Sequence, residues 1–357
     1  MHAFKQLSKR YPFKFKTSRK PQHSNVTAME NHMGSVVLES DTEVVYVEYD
    51  NPFQLPPPPS DEWTRFVCIS DTHSHTFDVP WGDVLIHSGD LTNTGTLKDF
   101  KKTMEWIGSL PHRTKIIIAG NHDLTLDRHD DWYEKNYKGW HTKPENLEPI
   151  LELLKGHKAT NAGVMYLQDE SHTFQAKEGG RTWSVYGSPW SPEFCDWAFN
   201  YDRRDGKRLV SQFPKTDILH ALTHGPPLGI FDLTTGCTRV GCRDLTNRLP
   251  YLRPRIHLFG HIHEGHGAYV HEWYAGSTET PDVQVENDLD GDYIDDADDY
   301  MDDGVNLPEP YSLSEGGDRT VFVNAANWPM GRHAWGPKGR SPFGGPGFRP
   351  IVVDLKD

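Results

Sequence analysis

The stretch IIIAGNHDLTL, residues 116–126, decides how the rest of the chain is read. Its β-branched residues, Ile116 to Ile118, stop at Ala119-Gly120 and are followed at once by Asn121, His122 and Asp123. A short apolar run closed by glycine reads as a buried strand. Three groups able to bind metal or move protons on its lip read as chemistry placed at a strand end, because a solvated loop needs none of them.

The same grammar repeats on either side. RFVCIS (65–70), DVLIHS (83–88), TKIIIA (114–119), WSVYGS (183–188), DILHALTH (217–224) and RIHLFG (255–260) are apolar runs ended by Ser, Gly, Ala or His. Between them, TLKDFKKTMEWIGSL (96–110) sets Leu97, Phe100, Met104, Ile107 and Leu110 at helical spacing, and LEPILELLKG (147–156) does likewise. Such alternation predicts an α/β layered protein. Ligands gather beyond the carboxyl ends of strands in such folds, so the polar residues there are the ones to collect.

Collected in order they are Asp71, His73 and His75 in DTHSH, Asp90 in GD, Asn121, His122 and Asp123 in GNHD, His224 in THG, and His261, His263 and His266 in GHIHEGH. Each has a plain structural explanation by itself. Asp71 or Asp90 fits a helix cap, His224 a satisfied core histidine, and GNHD a turn. One shared cause accounts better for five such strand ends, and that cause is a metal site. No cysteine is among the ligands, which disfavours a closed structural zinc site. Imidazole with carboxylate suits Mn, Zn or Fe, and a bridging Asp90 gives enough ligands for two divalent ions about 3.5–4 Å apart.

Composition bounds what surrounds the site. The 357 residues, 36% hydrophobic, suffice for one large α/β domain with extensions or for two modest domains. No apolar run approaches the ~18 residues of a membrane span. Four cysteines in so long a chain make no disulfide framework. Cys237 and Cys242 lie near enough to pair, yet reduced thiols and a cytoplasmic setting are the favoured reading.

The net charge of −14 argues against stable nucleic-acid binding, and it is unevenly placed. Twelve acids and no Lys or Arg fall between Glu279 and Asp303. The segment 279–318 therefore reads as a solvated acidic insertion, and a protein partner for it is one reading of its charge. A calcium loop starting at Asp288 would need Gly at 293 and Glu at 299, where the chain has Tyr293 and Asp299. Residues 1–29 are basic and acid-free, a tail or a weak organelle presequence. With the proline-rich LPPPPSDEW (55–63) behind it, the stretch 1–62 reads as disordered tail and linker, and one domain is expected over 63–357.

The blocks Asp71-Thr72-His73, Gly89-Asp90, Gly120-Asn121-His122-Asp123, His224 and Gly260-His261-Ile262-His263 also complete, in order, a known pattern. The chain resembles the calcineurin-like metallophosphoesterases. That resemblance implies a four-layer αββα sandwich, which the parallel-strand reading alone does not give. It implies one metal on Asp71, His73 and His263, a second on Asn121, His224 and His261, Asp90 bridging them, and attack on phosphorus by a bridging water or hydroxide. His122 would contact the phosphate or protonate the leaving oxygen, and Asp123 would orient His122 or cap the following segment.

Thr94 stands where serine/threonine phosphatases carry a phosphate-holding Arg, so that activity is disfavoured. YGSPWSPEFCDWAFN (186–200) and FGHIHEGHG (259–267) look like the small metallophosphoesterase-domain-containing proteins, some of which are cyclic nucleotide phosphodiesterases. The expected activity is hydrolysis of small phosphodiesters. A phosphomonoesterase or nucleotidase is the first alternative, and a metal-filled scaffold without catalysis the second. Trp190, Phe194, Trp197 and Phe199 read as core first and as a nucleobase platform second. Arg203 and Arg204 read as a solvated pair, and His75, Glu264 and His266 as supports around the ligands.

Overall fold

From Trp63 to Ile69 every side chain is buried, and strand alternation sorts them between two apolar layers. Phe66 and Cys68 join one layer, Val67 and Ile69 the other. A strand covered on both faces belongs inside a layered protein. The computed structural model describes residues 27–30, 36–216, 222–273, 318–337 and 339–357.

Trp63–Ile69 lies in an eight-stranded sheet, where it runs parallel to Val84–His87, then Thr114–Ile117, then Val164–Tyr166. On its other side the sheet turns antiparallel, through Ile351–Lys356, Glu43–Glu48, Val36–Glu39 and Thr27–Glu30. A second layer is built from two three-stranded pieces. Thr182–Ser188 pairs with Glu170–Gln175 and Leu222–Thr223, and Arg319–Asn324 pairs with Ile256–Phe259 and Gly267–Glu272.

The two layers close on each other. Phe66, Cys68, Ile86, Ile116 and Ile118 of the first share one cluster with Trp183, Val185, Leu258 and Val323 of the second. The far face of the first sheet packs on Phe100, Met104 and Ile107 of helix Leu97–Ser109 and on Ile150 and Leu154 of helix Leu147–Lys155. The far face of the second presents Tyr186, Phe259 and Phe322 to helices Gly206–Ser211 and Arg243–Leu252. Helix, sheet, sheet, helix is the order, as the resemblance implied. Thr96 starts the first helix by accepting a hydrogen bond from Asp99 N at 3.1 Å.

The first sheet is thus mixed, parallel over four strands and antiparallel beyond. One expectation needs correction: the folded region begins well before Trp63, because Glu43–Glu48 pairs with Ile351–Lys356 and Tyr49 donates its hydroxyl to Pro350 O at 2.6 Å. The physical reason is that IVVDLK is almost wholly buried and needs a neighbour on both edges. Even the proline stretch is held, through Arg65 Nη2 donating to Pro56 O at 2.7 Å. Residues 1–26 and the acids from Glu279 to Asp303 lie outside the described residues. Among the described residues no helix is long and apolar enough to cross a membrane, and all four cysteines, Cys237 and Cys242 included, are free.

Candidate metal centre

Every collected residue sits just past a strand, on the edge where the parallel strands of both layers end. Backbone bonds stitch the loops together, with Asp71 N donating to Gly89 O and His73 N to Asp90 O, each at 3.0 Å. The local backbone is unusual: Asp71, His73, Asp90 and His261 all have left-handed φ, between 44° and 64°. Each such residue costs on the order of 1–3 kcal/mol and persists only where its surroundings over-determine it. The glycine of GNHD is needed for close approach, since a Cβ on Gly120 would collide with the backbone nitrogen and Oδ1 of Asp90.

Two groups of ligand-type atoms result. In the first, His263 Nε2 lies 3.0 Å from Asp71 Oδ1, and Asp71, His73, Asp90 and His263 each bring one atom to within 4.8 Å of the others. In the second, Asn121 Oδ1 lies 2.8 Å from both His224 Nε2 and His261 Nδ1. Asp90 touches both groups, its Oδ2 standing 3.5 Å from His73 Nε2 and 3.4 Å from His224 Nε2. All seven expected ligands therefore converge.

The two carboxylates are held in the ionised form that cation binding requires. Burial would raise Asp71 and Asp90, but neighbouring imidazoles, His263 for Asp71 and His224 for Asp90, hold both well below the usual carboxylate range. Burial drives His73 far below the ordinary imidazole value, and burial with the nearby His224 takes His261 down to about 3. Burial would lower His224 too, yet the Asp90 charge lifts it to about 9. Burial would lower His263 as well, yet the Asp71 charge raises it, so His73 and His261 stand ready as neutral ligands while His224 and His263 give up a proton when a cation binds.

A direct test of fit comes from His73, whose two ring nitrogens are buried with no hydrogen-bond partner. An orphaned buried polar group costs about 1–3 kcal/mol, and a cation beside Asp71, Asp90 and His263 would occupy it. The donor set of this group fits a divalent cation.

His122 is at the lip and partly exposed. Its Nδ1 faces Asn93 O at 2.8 Å, its ring stacks on Trp197 at 4.1 Å, and its backbone N–H donates to Asp90 Oδ1 at 2.8 Å. The expected role of Asp123 is corrected here. It makes no side-chain cap bond, and the orienting partner of His122 is the Asn93 carbonyl. The buried Asp123 carboxylate instead accepts from Leu91 N, Thr92 N, Thr92 Oγ1 and Gly120 N at 2.7–3.1 Å, clasping the GD loop to the GNHD loop. Burial and the Asp90 charge push its pKa up to about 7.

The remaining sequence expectations divide. Phe199 is core, Trp197 is the platform under His122, and Phe194 is exposed with its ring 6.2 Å from that of His261. Trp190 donates Nε1 to Asp169 at 2.9 Å. Arg203 holds the carbonyls of Val240 and Gly241, while Arg204 pairs with Asp202 at the surface. His75 stacks on Phe343, His266 Nε2 faces Arg349 O, and Glu264 accepts from Thr235 N, so these three brace loops.

Sequence reasoning missed Trp328 and Met330, which lean on His263 and, for Trp328, on His73. The signal was present. Arg319–Asn324 runs parallel to Ile256–Phe259, so the residues after it belong to the same edge, and AANWPM was not collected with the others.

Comparison with known proteins adds a second line of evidence. Residues 64–265, more than half of the chain, match the family model described as Calcineurin-like phosphoesterase. The chain is 44% identical over 232 residues to "Metallophosphoesterase domain-containing protein 1" of Homo sapiens and of Mus musculus, matching 60% of this chain and 65% of each relative, a little under two thirds of their length. It is 35% identical over 230 residues to "UPF0046 protein C25E10.12" of Caenorhabditis elegans, matching 60% of this chain and 74% of that protein.

Proposed function

We propose, from the premise that this chain belongs to the calcineurin-like phosphoesterase family, that it is a dinuclear phosphodiesterase acting on small phosphodiesters such as cyclic nucleotides. The observation that carries the reading is Asp90, whose one carboxylate oxygen lies within 3.5 Å of an imidazole in each ligand group. Asp71, His73 and His263 would hold one cation, Asn121, His224 and His261 the other. Bound there, two divalent cations supply Lewis acidity toward the phosphoryl oxygens and lower the pKa of water enough to give a nucleophile near neutral pH.

The chain's own residues supply the rest. His122 donates Nδ1–H to the Asn93 carbonyl, which leaves Nε2 to carry a proton toward the leaving oxygen. Trp197 fixes the ring plane from below. Asp123 keeps the two ligand loops in register, so the geometry is set before substrate arrives.

A diester carries a single charge and an organic group on either side, and the exposed Phe194 and the Trp197 platform offer such groups aromatic surface. Thr94, in place of an Arg, fits a diester better than a dianionic monoester. The test is a panel of bis-para-nitrophenyl phosphate, para-nitrophenyl phosphate and 2′,3′- and 3′,5′-cyclic nucleotides, assayed with Mn, Zn, Fe and Mg in turn. Diesters are expected to be preferred by roughly tenfold or more in kcat/KM. A faster monoester would make the protein a phosphomonoesterase or nucleotidase, and two bound ions with no turnover would make it a scaffold.

A further inference from the structure

We infer that Trp328 is a positioning residue for one of the two half-sites, holding His73 and His263 by packing where a backbone hydrogen bond holds His224 of the other. The inference rests on the dinuclear reading above. His224 is oriented by its Nδ1–H donating to Ser88 O at 3.0 Å. Ligating histidines are generally held in this way, through a hydrogen bond from the second ring nitrogen. His263 has only a thioether in that place, Met330 Sδ at 3.3 Å from its Nδ1, and a thioether is a weak acceptor. His73 is more extreme: both ring nitrogens are buried without a partner.

Contacts between rings take over. The His73 ring meets the Trp328 ring edge-on at 4.4 Å and 89°, with His122 at 4.5 Å and 87° closing another side. The same indole lies nearly parallel to His263, 5.5 Å between centroids and 13° between planes. One side chain therefore touches two of the three residues that belong to this half-site alone.

Trp328 is itself anchored. The neighbouring Asn327 accepts from Ser70 N through Oδ1, donates to Phe348 O through Nδ2, and pairs its own N–H with Ser70 O. Ser70 directly precedes Asp71, so the indole and the first ligand are fixed to one frame.

The experiment is calorimetric titration of Mn2+ into metal-free protein, comparing wild type with Trp328→Ala and Trp328→Phe. The Ala variant is expected to bind one of two ions about 10–100-fold more weakly and the other within about threefold of wild type, the range seen when a ligand's outer partner is removed. The Phe variant, which keeps a flat ring, should restore most of the loss. Repeated on an Asn121→Ala background, where the second ion is weakened, the titration should show the Trp328 effect on the remaining ion. Equal weakening of both ions, unchanged binding in the Ala variant, or a Phe variant as impaired as Ala would overturn the inference. If the Ala variant does not fold, Trp328→Leu decides, since it fills the space and cannot stack. Fewer than two ions on wild type would sink the dinuclear reading and this inference with it. Two ions on wild type with an unchanged variant would sink this inference alone.

Discussion

The two ends of the strand Thr114–Ile117 each carry a histidine, and they could hardly be more different. Before the strand, His112 is buried, its Nε2 lies 3.1 Å from Pro80 O, and burial with the nearby Lys115 charge takes its pKa down to about 4. After the strand, His122 is partly exposed and stands against His73, Trp197 and the backbone of Asn93, one loop away from Asp90. Between them, Thr114 to Ile117 are all buried, and no residue of the strand has a left-handed φ. A buried histidine is thus not a site by itself. What makes the carboxyl end a site is convergence, four further strand ends and a strained backbone delivering side chains to one place.

The largest effect expected from breaking that convergence comes from Asp90→Ala. It removes the one group shared by both half-sites, so metal content should fall and turnover should drop on the order of a thousandfold or more, about 4 kcal/mol in the barrier. Full metal content with activity within tenfold of wild type would show that the half-sites do not depend on a bridge. Within the strand, Ile116→Ala empties a fully buried position between the sheets. It should cost about 2–5 kcal/mol in denaturant unfolding while turnover per folded molecule stays near wild type. A stable variant with damaged catalysis would erase the distinction between strand body and strand end.

At the carboxyl end, His122→Ala should lower turnover roughly a hundredfold or more with both ions retained. Metal loss instead would make His122 a ligand. At the amino end, His112→Gln keeps a donor for Pro80 O and removes the titration. Because the folded pKa of His112 lies below its ordinary 6.5, its neutral form is compatible with the fold above that pH. Its contribution to stability is lost as pH falls from about 6.5 toward about 4. Metal-free wild type should therefore lose more stability than the Gln variant between pH 7 and pH 4, by about 1–3 kcal/mol, with activity at pH 7 unchanged. Parallel losses in the two proteins would mean that His112 does not resist protonation.

Much of this was legible in the sequence. The runs around Phe66, Ile86 and Ile116 announced buried strands, since two covered faces leave no room for polar residues. The residues after those runs, and after the two later ones, announced the side chains that converge, from Asp71 through His263. The antiparallel partner Glu43–Glu48 was not legible, because which edge the last strand seeks is a long-range pairing that local alternation does not encode. The two-sheet stacking likewise came from family resemblance and not from periodicity. Asp123 was found as a residue and misread as a role, because its four hydrogen bonds depend on how two loops pack. Trp328 was missed because an indole carries no ligand atom; its contribution is a surface, visible only once His73 and His263 lie against it.

The central claim is that Asp90 joins two metal half-sites where the strands of both layers end. Its most direct test is the metal-to-protein ratio of protein stripped with chelator, reconstituted with Mn2+ and freed of excess metal. About two ions per chain on wild type, falling below one on Asp90→Ala, is the result expected of a shared carboxylate. One ion or none on wild type, or two on the Asp90→Ala variant, would contradict it.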